Sequence, residues 1–155
     1  AEAWPKSDYP NGKLHWFKKG GCFVTATAIM LRLHDIEKDD DPRSFNPWVL
    51  CERLKEIEAF NSYADLDPSG IEALYPVHYA GDVPYSYEAL QENISAGYMC
   101  MLELRGIQGP FHYAVVDSLT RDDIEIIDPA RGKYPISDLK EILAIVRYKS
   151  TDENR

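Results

Sequence analysis

The run Gly20-Gly21-Cys22-Phe23-Val24-Thr25-Ala26-Thr27-Ala28-Ile29-Met30-Leu31 limits the folds open to this chain more than any other stretch. From Cys22 to about Arg32 it offers helix formers and apolar residues with almost no polar face. A helix that is apolar all round must be covered on every side. The segment is therefore expected to be the central helix of a domain. The glycine pair breaks regular structure, so the helix is expected to open at Cys22. A thiol in a first turn lies at the positive end of the helix dipole, which stabilises the thiolate, the reactive form of cysteine. If the chain performs chemistry, Cys22 is where it starts.

The 155 residues are about one domain's worth and can bury a proper core around such a helix. Net charge is −9, from 17 Lys+Arg against 26 Asp+Glu. That balance argues against a nucleic-acid partner or an anionic membrane surface. No apolar run approaches the roughly 20 residues needed to span a bilayer. Cys22, Cys51 and Cys100 are an odd number without CxxC spacing, so neither a disulfide framework nor a zinc site is expected, and no metal or cofactor is expected. The chain does not begin with Met and reads as a processed form or an excised domain of a larger protein.

One α+β domain is expected over 1–155, with helices first and a sheet after them. Residues 1–21 mix Pro5, Pro10 and Gly12 with Trp4, Tyr9, Trp16 and Phe17, which suggests an irregular arm pinned by aromatics. The mostly helical half covers 22–97. Residues 35–44 read as a charged, solvated loop. Asn46-Pro47 reads as a helix start, and Leu50, Leu54 and Ile57 give an amphipathic helix through about Phe60, with Cys51 a small core residue beside that stripe. Ser86 caps a third helix that carries Tyr87, Leu90 and Ile94 and closes at Gly97.

The sheet half covers 98–149, with a tail at 150–155. Tyr98–Arg105, His112–Leu119, Ile124–Asp128 and Ala144–Tyr148 read as consecutive antiparallel strands. Asp65 to Gly70 begins like a calcium loop, but Pro76 stands where the bidentate Glu belongs, so an ordinary turn is expected.

A nucleophilic cysteine needs a base, and the base a group that orients it. Of the four histidines, His15 lies in the arm, His34 ends the first helix, and His78 falls in a proline-flanked loop. His112 begins a strong strand, and the next strand delivers Asp128 at its far end. In an antiparallel pair the start of one strand lies beside the end of the next, so His112 and Asp128 are expected to be neighbours at one sheet edge. Asp117, five residues along the same strand, points to the other face about 16 Å away. Cys100, in the apolar strand Met99-Cys100-Met101-Leu102, is expected to be buried and inert.

GCFVTATAIML, HYAVV and IEIIDPA, in that order over about residues 20–148, resemble the papain-like cysteine peptidases. The likeness is strongest to the bacterial group related to the double-glycine leader peptidases that process bacteriocin precursors. The resemblance implies a papain-like fold, with Cys22 as nucleophile, His112 as general base and acid, and Asp128 as the orienting group. It implies a peptide or protein substrate and a bacterial or phage source, in the cytoplasm or exported.

Two positions depart from the family. None of the six residues before Cys22 carries the amide side chain that usually helps bind the oxyanion. The Cys22 backbone N–H is expected to supply one donor; Asn11 and His15, candidates for another, do not sit at the usual offset, and one such donor is worth about 10²–10³ in rate. Phe23 also stands where relatives often have Gly, and is expected to narrow the cleft or change which substrate fits. Two alternatives stay open: a papain-like module that binds without cleaving, and an acyltransferase using the same triad.

Overall fold

The computed structural model describes residues 14–37, 47–60, 66–105, 111–119, 123–128, 132–139 and 141–151, with the side chains of 14–22 and 111 outside that description. Expectations that fall on 1–13, on Asn46 and Asp65, and on the tail beyond Thr151 lie outside the described residues.

Among the described residues three α-helices, α1 (Leu14–Leu33), α2 (Pro47–Glu56) and α3 (Tyr87–Ser95), accompany six strands. The strands are β1 (Val77–Pro84), β2 (Met99–Arg105), β3 (Phe111–Leu119), β4 (Ile124–Asp128), β5 (Gly132–Pro135) and β6 (Ile142–Ser150). They form one sheet in the order β1-β6-β2-β3-β4-β5 with every neighbouring pair antiparallel. The fold is thus α+β around an antiparallel sheet, as the pattern predicts. No helix among the described residues is long and apolar enough to cross a membrane.

Alternation along the strands gives the sheet two apolar faces. Met101, Val115, Val146 and Tyr148 face α1 and α2, where they meet Val24, Met30, Leu31, Leu50 and Leu54. Leu102, Leu104, Ala114, Val116, Ile126 and Ile145 line the other face, closed by Leu90 of α3 and by Ile136 of a short 3₁₀ helix, Ile136–Asp138. The α1 segment 23–31 is buried almost throughout, and this explains its lack of a polar face.

Five expectations need correction. Helix α1 starts at Leu14, so residues 14–21 are helical and Gly20 and Gly21 lie inside the helix. Each glycine costs about 1 kcal/mol relative to Ala. Extending an already nucleated helix, anchored downstream by the core, offsets that cost. Helix α2 stops at Glu56, with Ile57 39% exposed and Glu58 at φ 56°, a left-handed turn that ends the helix before Phe60.

Strand β1 was hidden by its prolines and its bulge, and it removes His78 from any loop. Pro76 precedes the strand and Pro84 ends it, which an edge position tolerates. The register shifts between Tyr79 and Gly81, where Gly81 adopts φ +91°. Arg147 holds the bulge by donating from Nη2 to the Ala80 carbonyl (2.7 Å) and from Nε to the Gly81 carbonyl (3.2 Å). Strand β5 lies inside the expected connection after Asp128. Finally, β6 inserts between β1 and β2 instead of following its sequence neighbour.

The third helix agrees with expectation: Ser86 Oγ accepts from the Ala89 N–H (3.0 Å), and Gly97 at φ +91° follows the last turn. Asp67 is part of an ordinary turn. Its Oδ1 accepts from the Ser69 N–H (3.0 Å) and Oγ (2.8 Å), capping the 3₁₀ helix Pro68–Ala73.

Candidate active site

Three adjacent strands each contribute one polar side chain to a cluster at the end of the sheet where β3 begins. Val115 pairs with Ile127, so Asp128 lies one step beyond that pair and His112 sits diagonally across from it on the same face. His112 Nε2 lies 2.9 Å from both Oδ1 and Oδ2 of Asp128. On the other side, Asp128 pairs with Gly132, and Tyr134 is the diagonal neighbour on β5. Tyr134 donates its hydroxyl proton to Asp128 Oδ2 at 2.8 Å. The Asp128 side chain is only 4% exposed and that of His112 24%. A carboxylate this buried requires such donors, since burying an unpaired charge is costly.

Nε2 faces the carboxylate, so Asp128 favours the tautomer with the proton on Nε2 and the lone pair on Nδ1. Chemically the pair is an oriented acid–base group. The neighbour relation predicted from strand order is therefore present, whereas Tyr134 was missed. Its strand is four residues long and ends in proline, too little for a period-2 signal. The available clue was Asp128 to Gly132, a three-residue hairpin connection with Gly132 at φ +83°.

Asp117, the rejected orienting carboxylate, is paired elsewhere, with Lys133 Nζ 3.1 Å from its Oδ2. The other two cysteines are core residues. Cys51 is 0% and Cys100 2% exposed, and desolvation pushes each thiol up to about 12. At neutral pH neither supplies thiolate.

Cys22 is the ninth residue of α1. At 1.5 Å per residue its backbone stands about 12 Å from the start of the helix. The unpaired N–H groups and the positive dipole end belong to the first turn, Leu14–Phe17, and the dipole's influence fades beyond it. The expectation that the helix N-terminus activates Cys22, with its own N–H as an oxyanion donor, is corrected accordingly. His15 likewise lies inside α1, and its side chain and that of Cys22 are outside the described ones.

The position of α1 against the sheet is well defined downstream of Cys22. Phe23 packs edge-on against Tyr113 with ring centroids 4.7 Å apart. One turn later Thr27 Oγ1 lies 4.0 Å from Met101 Sδ, and Met101 pairs with Val115. Helix and strand therefore run in the same direction, and the backbone just before Phe23 is level with the start of β3. Tyr113 faces α1, while His112 faces the opposite side of the sheet together with its partner Leu104.

No protein-family model, no curated protein and no solved structure matches the chain.

Proposed function

We propose that this chain is a cysteine peptidase or amidase of papain-like architecture, cleaving a peptide or isopeptide bond through Cys22, His112 and Asp128. The observation that carries the reading is the His112–Asp128 pair, with a buried carboxylate and a half-buried imidazole, at the start of β3, where α1 brings the residues around Phe23. His112 and α1 occupy opposite faces, so the proposed reaction requires the thiol to reach the imidazole around the start of β3, not through the sheet.

In the reaction, His112 Nδ1 takes the Cys22 proton and the sulfur attacks the carbonyl carbon, forming a C–S bond and an oxyanion. Collapse of the oxyanion breaks the C–N bond, and His112 returns its proton to the leaving amine. Water, deprotonated by the same imidazole, then attacks the thioester. The carboxylic acid departs and Cys22 regains its proton. Asp128 holds the ring and offsets the imidazolium charge throughout. Without a helix N-terminus at Cys22, lowering the thiol's pKa falls to His112.

One observation favours the alternative of a module that binds without cleaving. The helix begins two turns before Cys22, which removes one oxyanion donor from a site already lacking the amide side chain. Iodoacetamide labelling from pH 5 to 9, read by mass spectrometry on native protein and on His112→Ala, separates the two. A peptidase labels at Cys22 at pH 6 at least about tenfold faster than a free thiol of ordinary pKa near 8.5, and His112→Ala abolishes the difference. Ordinary labelling of Cys22 in the native protein gives the lead to the binding module.

A further inference from the structure

We propose that Tyr134 is a positioning residue for the site, a fourth member that fixes the Asp128 carboxylate so that Asp128 can fix His112. The proposal rests on the catalytic reading above for its functional meaning, but its geometry stands by itself. Asp128 ends β4 and is flanked on one side by β3 and on the other by β5. Each flanking strand sends its diagonal neighbour to the same carboxylate, His112 at 2.9 Å and Tyr134 at 2.8 Å.

The terminal sp³–sp² torsion of an aspartate is broad, so each donor that reaches the carboxylate narrows its χ2. The Tyr134 hydroxyl pins Oδ2 from the side opposite His112 and sets the plane of the carboxyl group. The Tyr134 ring packs among the apolar side chains of that face and pairs across the strands with Ile126, so the hydroxyl is itself held in place. The short hairpin β4–β5 thereby gains a purpose: it brings a donor to the buried carboxylate at the site.

The test uses Tyr134→Phe, which removes one oxygen and keeps the ring. The Nε2–H proton of His112, shielded by a buried carboxylate, gives a downfield proton resonance in ¹⁵N-histidine-labelled protein, assigned by its loss in His112→Ala. The expected result is a sharp line in the native protein that broadens into exchange with water in Tyr134→Phe. With a cleaved peptide in hand, kcat falls about ten- to a hundredfold with KM unchanged, part of the 10²–10⁴ that a positioned acid–base group contributes.

A line of unchanged position and exchange rate in Tyr134→Phe overturns the proposal, as does the absence of any such line in the native protein. If the variant does not fold, 3-fluorotyrosine introduced at 134, a stronger donor of nearly the same size, decides the matter: a displaced line supports the proposal and an unmoved one overturns it. Loss of the line in Tyr134→Phe, combined with ordinary labelling of Cys22 in the native protein, removes the peptidase reading and leaves the positioning role intact. Fast Cys22 labelling with an unmoved line does the reverse.

Discussion

The contact of Phe23 with Tyr113 ties the helix of Cys22 to the strand of His112, and a double-mutant cycle tests it directly. Phe23 is 8% exposed and meets the half-buried Tyr113 edge-to-face at 4.7 Å. Replacing either ring by Leu keeps much of the apolar volume and discards the ring geometry. Phe23→Leu should cost about 1.5 kcal/mol and Tyr113→Leu about 1 kcal/mol, as near-volume-conserving core changes do. An aromatic pair adds about 0.5–1.5 kcal/mol beyond buried area, so the double variant should fall short of the sum by about 1 kcal/mol.

The Tyr113 hydroxyl also donates to Glu103 Oε2 at 3.4 Å, a term that the cycle cancels. Urea unfolding followed by circular dichroism at 25 °C, with a slope of about 2 kcal/mol/M, turns the coupling into a midpoint difference of about 0.5 M. All four proteins stay folded in water, since the summed losses are small against a stability of about 5–15 kcal/mol. A coupling within about 0.3 kcal/mol of zero would refute the register of α1 on β3. The proposed approach of Cys22 to His112 would then lose its structural ground.

Three further outcomes follow from desolvated titrating groups. Cys51 and Cys100, both pushed up to about 12, hold on the order of 10⁻⁵ thiolate at pH 7, so they should stay unmodified by Ellman's reagent in the native protein and react fully in guanidinium. Their native values exceed the unfolded ones, so their contribution to stability is intact at neutral pH and is lost as pH rises from about 9 toward 12. A urea midpoint that does not move between pH 7 and 10 would contradict this. Glu103 is held above the usual carboxylate range by burial, with the Asp82 charge adding to it. The stability it contributes is complete below its unfolded value near 4.3 and is lost as pH rises through the raised native value. Glu103→Gln should therefore raise the urea midpoint at pH 7 by less than about 1 kcal/mol equivalent, screened because the side chain is partly exposed. The gain should vanish below pH 4.

Local rules determined a good deal of this protein. The run from Phe23 to Leu31 required burial, because nothing along it could face water, and the structure buries it. Period-2 patterning defined β2, β3 and β4 to within a residue or so, and antiparallel connectivity alone brought Asp128 beside His112. These inferences succeed because they use contacts between close sequence neighbours, where the chain geometry leaves few options.

Only the tertiary structure decided the rest. Strands β1 and β5 are short or bulged edge elements; β1 gains its partner from the distant β6, β5 is folded back on β4 by a short hairpin, and β6 joins β1 to β2 across the whole chain. Tyr134 matters solely because a hairpin folds it onto a buried carboxylate. The first residue of α1 depended on the balance between two glycines and the helix anchored beyond them, and propensity alone gave the wrong start. A glycine pair weakens a helix by an amount that local reading can state. Whether the helix continues through it is settled by the core that holds the other end.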